Sequence, residues 1–115
     1  MFQPQRRVAL DVDIMNTGMI IVHDIFVCKP GNASKMAKMF KEVMADNKEL
    51  VNIMTDMTGQ YNRVIMVSKF ENLAAYEKMY ESYKNPTEEM KKQFAKMQGY
   101  TDMYLTGSRE IFQTW

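Results

Sequence analysis

The sequence has little of several residue types, and each shortage removes a class of protein. A single cysteine, Cys28, has no partner for an intrachain disulfide, which favours a reducing compartment. Apolar stretches such as residues 19–22 are far shorter than the ~20 residues that a membrane-spanning helix needs. Fifteen basic and fourteen acidic residues give a formal charge of +1, so no charge excess favours nucleic acid or anionic lipid as a partner. We therefore expect a soluble, cytoplasmic protein that has no nucleic-acid or membrane partner.

Motifs for metal and cofactor binding are also missing. The chain has one histidine, His23, and no Cys/His spacing typical of zinc sites, so no metal site is predicted. Glycine-rich nucleotide motifs and the nucleophile elbow of hydrolases do not occur, so no cofactor is predicted either. Cys28 ends an apolar strand pattern and is expected to be a small buried side chain.

The periodicity of apolar residues predicts one complete domain over residues 19–115. Strands are expected over residues 19–28, 50–57, 63–70 and 109–115. Helices are expected after Asn32 or Ser34, after Asn72 and from Thr87 to Gly99. This order is the split βαβ arrangement of a ferredoxin-like α+β fold, with a four-stranded antiparallel sheet and helices on one face.

Residues 1–18 precede this set and are predicted to form an N-terminal arm or extra strand. Val8, Leu10, Val12 and Ile14 alternate with smaller or charged residues, as in a half-buried strand. Residues 16–18 are typical of a turn, so this strand could form a hairpin with residues 19–28. The arm could equally add to its own sheet or reach a partner chain.

One face of the predicted sheet is too apolar to be left in water. We assign to the helix-free face a set of residues with a period of two: Phe26, Met54, Met66, Phe70 and Phe112. A second copy of the chain could cover this face across a two-fold axis. The sequence thus predicts a homodimer in which two sheets face each other and enclose a cavity.

Several segments resemble dimeric α+β barrel proteins, nearest to the NIPSNAP branch. Residues 19–31, which end in Lys-Pro-Gly, are similar to the first strand and turn of those proteins, and Ser-Arg-Glu-Ile-Phe at 108–112 is similar to the last strand. The third strand and helix start of that branch resemble residues 59–74, GQYNRVIMVSKFENLA. The branch tends to place His, Trp and Tyr on the cavity face of this strand, where the present chain has Met66, Ser68 and Phe70. The first strand likewise has Asp24 and Phe26 in place of Arg and Tyr. The resemblance implies a dimer with an apolar cavity.

The predicted cavity has an apolar lining and few polar groups. The predicted lining residues are Val22, Asp24, Phe26, Met54, Met66, Ser68, Phe70 and Phe112. His23, Arg63 and Arg109 are candidates for binding the polar end of a ligand. His23 and Asp24 should point to opposite faces, and Asp24 should pair with Arg63 or Arg109, because an unpaired buried carboxylate is costly. Tyr76, Tyr80 and Tyr83 are expected to pack a helix against the sheet.

Two functions are compatible with these residues. The first is a homodimer that binds an elongated or flat apolar small molecule, for which a fatty acid is the simplest example. The second, which the family resemblance implies, is a cofactor-independent monooxygenase or a lyase-like cyclase that uses His23, Asp24, Asn52 or Ser68. The pocket tryptophan of such oxygenases has no counterpart, because the only tryptophan is Trp115.

Overall fold

The computed structural model describes residues 18–59 and 61–115, which form a four-stranded sheet with three α-helices. In chain order the elements are β1 (Ile20–Cys28), α1 (Ala33–Val43), β2 (Leu50–Thr55), β3 (Arg63–Phe70), α2 (Leu73–Lys84), α3 (Glu88–Lys96), a short 3-10 helix (Tyr100–Asp102) and β4 (Tyr104–Gln113). The strand order is β2–β3–β1–β4, and every neighbouring pair is antiparallel. The predicted ferredoxin-like α+β fold is confirmed.

Side-chain caps fix the starts of two helices. Asn72 accepts a hydrogen bond from the backbone N–H of Ala75 at 2.8 Å, and Thr87 accepts one from Met90 at 3.2 Å. α1 begins directly after Asn32, whose side chain forms no capping hydrogen bond. The β2–β3 hairpin uses positive φ angles at Gly59 (92°) and Asn62 (61°), as its turn residues suggest.

α1 and α2 pack against the same face of the sheet. The Phe40 ring of α1 lies 5.4 Å from the Phe26 ring, and Tyr76 of α2 lies 5.2 Å from Phe70, measured between centroids. α3 packs beside α2, where the Phe94 ring lies 5.9 Å from the ring of Tyr83, measured between centroids.

The buried core consists of two separate clusters rather than one. The first cluster forms where α1 meets the sheet and contains Cys28, Met36, Phe40 and Val64. The second lies under α2 and contains Ile20, Val22 and Phe70. Neither α2 nor α3 has a fully buried residue, so both helices cover the sheet loosely.

The last strand is longer than predicted. β4 begins at Tyr104, and Gly107 and Ser108, which we expected to precede the strand, pair with Phe26 and Ile25 inside it. Pairing along the whole of β1 satisfies backbone N–H and C=O groups that would otherwise be left open, and this outweighs the low strand propensity of Gly-Ser.

β1 is a central strand: β3 and β4 occupy both of its backbone edges from Ile20 to Val27. Residues 1–17, which contain almost all of the predicted arm, lie outside the described residues, so its extent stays a prediction. Within residues 18–59 and 61–115, no helix has the length and apolar character that crossing a bilayer requires.

Candidate ligand-binding site

A cavity of about 490 Å3 lies between the sheet and its helices. Members of both core clusters line it, Phe40 from the first and Val22 and Phe70 from the second. The strands contribute Val22, Asp24, Phe26, Leu50, Met66, Ser68, Phe70 and Arg109, and the α-helices contribute Phe40, Tyr76, Met79, Tyr80, Tyr83 and Phe94. Met44, Asn47, Glu49, Met97 and Tyr100 complete the lining.

The predicted cavity was to lie between the sheets of two copies, so this cavity within one chain is a different one. The strand register determines which of the predicted lining residues reach it. Asp24 is opposite Met66 and Val22 is opposite Ser68, and residues opposite each other in a ladder share a face. With Phe26 and Phe70, these residues line the cavity. Met54 and Phe112 are on the other face, paired with Ile65 and Ile21, and do not reach it.

Our assignment of Phe26, Met66 and Phe70 to the helix-free face was therefore wrong. Phe26 and Phe70 contact rings of α1 and α2. The reason is that β1 is apolar on both faces, so alternation alone does not show which face receives the helices. The helix-free face instead carries Ile21, Ile25, Ile65 and Val67 at its centre, together with Met54 and Phe112.

Asp24 and Arg109 form the polar centre of the cavity. Arg109 Nε donates to Asp24 Oδ1 at 2.5 Å, across a directly paired position of β1 and β4. Arg109 Nη1 donates to the Tyr76 hydroxyl at 3.0 Å, and the guanidinium lies 5.6 Å from the centroid of the Tyr80 ring. The hydrogen bond to Asp24, more than any other contact, raises the pKa of Arg109 above its ordinary value. Of the two arginines that we considered, Arg109 is thus the partner of Asp24.

The other two candidates for the polar end lie away from the cavity. Arg63 pairs with Asp56, with Nη2 and Oδ1 3.1 Å apart, and its backbone N–H also donates to that carboxylate. Burial alone would raise the pKa of Asp56, but the hydrogen bonds and charge of Arg63 outweigh it and lower the pKa. The ring of His23 contacts Phe112 at 5.1 Å, which confirms that His23 and Asp24 point to opposite faces.

The sequence-based reasoning missed the tyrosines as cavity residues. Tyr76, Tyr80 and Tyr83 follow one face of α2 and line the cavity; Tyr76 also packs against Phe70, and Tyr80 lies beside the guanidinium of Arg109. Burial, and then the charges of Glu49 and Asp24, raise the pKa of Tyr83. The signal was present in the spacing i, i+4, i+7, but spacing alone does not distinguish packing from a cavity wall.

Metal binding and thiol chemistry find no support in this part of the molecule. Among the described residues, no group of three or more His, Cys, Asp or Glu side chains could hold a metal ion. Cys28 is buried, with its Sγ 3.6 Å from Met36 Sδ, and burial raises the pKa of its thiol. Cys28 therefore belongs to the core.

The structure is similar to several solved structures, although the sequence comparisons found no match. No protein-family model and no curated protein matches the sequence. A NIPSNAP-like domain protein from Burkholderia xenovorans is similar over 85% of this chain and 86% of its own, with a TM-score of 0.69 and 14% identity. A NIPSNAP family protein from Agrobacterium tumefaciens matches 82% of this chain and 90% of its own, with a TM-score of 0.67 and 14% identity.

A third similar structure is a Fusobacterium nucleatum protein provisionally described as a monooxygenase. It matches 85% of this chain and 43% of its own, with a TM-score of 0.56 and 16% identity. At such identities the similarity concerns the fold. The chain has the fold of NIPSNAP family proteins, as its resemblance to that branch predicted.

Proposed function

We propose that the protein binds an apolar small molecule in the cavity between its sheet and its helices. The observation that supports this most directly is the cavity itself. Its volume of about 490 Å3 falls within the roughly 300–1,000 Å3 typical of ligand pockets, which are mostly apolar with a few fixed polar groups. Here the fixed polar groups are Asp24, Arg109 and Tyr76.

A neutral oxygen-bearing group of the ligand would lie at this network. A guanidinium has five N–H donors, and the structure commits one to Asp24 and one to Tyr76. The remaining donors of Arg109 can bind an oxygen of the ligand, and Asp24 can accept a hydrogen bond from a hydroxyl. Because side chains already hold both groups in place, little conformational entropy is lost when the ligand binds.

The walls favour a flat ligand at least as much as a chain. Rings of Phe26, Phe40, Phe94 and Tyr100 surround the cavity and can stack on a planar molecule or meet its edge. Flexible thioethers such as that of Met66 would also adapt to an acyl chain. A fatty acid would have to place its carboxylate near Asp24, which counts against it.

A thermal-shift experiment with two kinds of probe tests the proposal. We expect 2-naphthol to raise the melting temperature, since a ligand at 100 times its Kd stabilises the fold by about 2.7 kcal/mol. Saturated acids of increasing length test the chain-shaped alternative, in which each buried methylene adds about 0.8 kcal/mol until the cavity is full.

Two matched variants locate the binding. Ser68→Trp fills the cavity from β3 and should abolish the shift, whereas Ser82→Trp on the exposed side of α2 should leave it unchanged. If the folded, unmodified chain responds to no probe, the cavity is only a packing defect and the proposal fails.

We also propose that the protein is a homodimer through its helix-free face. The centre of this face is largely apolar, with Ile21, Ile25 and Ile65 around His23, and Phe112 beside them is 48% exposed. Polar residues surround this centre: Asn52, Arg63, Lys69, Thr106, Ser108 and Glu110. An apolar centre within a polar rim is the usual anatomy of a protein interface.

A second candidate function is a cofactor-independent monooxygenase or a lyase-like cyclase. One observation favours it: Asp24 lines the cavity, where it could accept a proton from an acidic O–H or C–H group of a substrate. His23 is on the other face and is excluded from that role. Oxygen uptake and product analysis with phenolic probes test this function. Activity in the unmodified chain that is lost in Asp24→Asn would establish it, and no turnover in the presence of measurable binding would reject it.

A further inference from the structure

The cavity lining has more negatively charged than positively charged side chains. The lining contains two carboxylates, Asp24 and Glu49, and a single cationic side chain, Arg109. Arg109 is already paired with Asp24. Among the described residues Glu49 forms no ion pair, and Arg109 is the only cationic side chain that lines this cavity. Glu49 is exposed and also lines a neighbouring cavity together with Lys48 and Lys69.

A smaller neighbouring cavity of about 180 Å3 adds to this imbalance. It shares five lining residues with the main cavity: Met44, Asn47, Tyr83, Phe94 and Met97. It also contains Asp46 but no Lys, Arg or His. A ligand that reaches this smaller cavity would therefore meet a third carboxylate and no further cation.

The α2 side of the cavity also suits a positive charge. Tyr76, Tyr80 and Tyr83 line it, and the faces of aromatic rings attract cations. The guanidinium of Arg109 already lies over the Tyr80 ring, 5.6 Å from its centroid. Burial raises the pKa of the Tyr83 hydroxyl most, the charges of Glu49 and Asp24 raise it further, and the charge of Arg109 lowers it. The Tyr83 end of the cavity is thus aromatic and has two carboxylates and one guanidinium nearby.

We propose that the ligand of this cavity is a cationic amphiphile, with an apolar or aromatic body and a protonated amine near Glu49 and Tyr83. This inference rests on the proposed binding function and specifies the chemistry of the ligand. The amine would pair with Glu49, and the tyrosine rings would contribute cation–π attraction. A carboxylate would instead add a third negative charge to a lining that holds one cation.

Three probes test this proposal. They share one ring system and differ in the charge of one substituent. They are 2-naphthylmethylamine, 2-naphthalenemethanol and 2-naphthoate, titrated against the full-length protein by calorimetry at low and at high salt. We expect the amine to bind about tenfold more tightly than the alcohol, with the carboxylate weakest. Added salt should reduce the difference in affinity between the amine and the carboxylate, because it screens the charge of the exposed Glu49.

Two glutamate variants assign the preference to the cavity. Glu49→Gln should remove most of the advantage of the amine while leaving binding of the alcohol unchanged. Glu77→Gln removes the same charge from an exposed residue of α2 that does not line the cavity. It should change neither the advantage of the amine nor the binding of the alcohol.

The possible failures are distinguishable. If the alcohol or the carboxylate binds as tightly as the amine, the charge preference is overturned while binding in the cavity stands. If none of the three probes binds the folded protein, the charge preference fails together with the proposed function.

Discussion

The two partners of the ion pair in the cavity should contribute unequally to stability. The side chain of Asp24 is 20% exposed and that of Arg109 is 44% exposed. Arg109→Met would leave a mostly enclosed carboxylate without its partner, and an unsatisfied buried polar group costs about 1–3 kcal/mol or more if it is charged. Asp24→Asn would leave a half-exposed guanidinium that still contacts water, Tyr76 and Tyr80, so its cost should be closer to about 0.5–1 kcal/mol.

Urea unfolding at neutral pH measures these costs, because at a constant m-value a lower midpoint means a lower free energy of unfolding. The double variant Asp24→Asn/Arg109→Met should be more stable than Arg109→Met alone, because it no longer has an unpaired carboxylate. Lys84→Met is the control: its pair with Glu81 is 60% exposed on both sides and should contribute almost nothing. An Asp24→Asn cost equal to or above that of Arg109→Met, or a double variant no better than Arg109→Met, would refute the proposed role of this pair.

Three further predictions follow from the faces, the domain boundary and the ion pairs of the fold. Phe112→Glu should convert a dimer to monomer in size-exclusion chromatography with light scattering. Ile111→Glu, equally exposed but on the opposite face, should leave the dimer intact, and a dimer that survives both changes would contradict the proposed interface. A shortened chain that starts at Met19 should melt cooperatively, since every described strand and helix begins after it, and loss of the folded signal would make residues 1–18 part of the fold. Because Arg63 lowers the pKa of Asp56 below 3.8, this pair should stabilise the fold above about pH 4, and its contribution should disappear as the pH falls through the lowered pKa. The free energy of unfolding of Asp56→Asn should therefore fall less steeply with decreasing pH than that of the unmodified chain. If the two curves are parallel, the pair does not stabilise the fold.

Local sequence signals predicted the elements of the fold well. The strand over residues 63–70 has the bounds that we expected, and the helices begin at the predicted caps Asn72 and Thr87. Periodicity and capping depend on residues close in sequence, which is why they can be recognised in one chain. β4 was the exception, because its first residues gain their stability from pairing with β1 and not from their own propensity.

The position of the cavity could not be predicted because it depends on which face of the sheet receives the helices. In β1 the residues of both faces are largely apolar: Val22 and Phe26 face the helices, whereas Ile21 and Ile25 do not. Alternation correctly placed His23 and Asp24 on opposite faces of the sheet, but it could not show which of the two residues faces the helices. The loose packing of α2 and α3, which leaves room for a ligand, is a tertiary property without a sequence pattern.

The contacts of the polar residues in the cavity could also be predicted only in part. The cost of burying Asp24 predicted a cationic partner, and the strand register then selected Arg109 over Arg63. Tyr76, Tyr80 and Tyr83 were visible as a helical stripe, but only the three-dimensional arrangement shows that they line a cavity.

Methionine methyl groups offer the most direct test of the central claim, that a small molecule binds between the sheet and the helices. With 13C-labelled methionine methyls, the titration of 2-naphthol can be followed by NMR at named positions. Met66, Met79 and Met97 line the cavity, whereas Met54 lies on the helix-free face and Met57 is 94% exposed in the hairpin. We predict that the signals of the three cavity methionines shift with added 2-naphthol while those of Met54 and Met57 do not. A shift at Met54 with unchanged signals from the cavity methionines would place the ligand on the helix-free face and contradict this account.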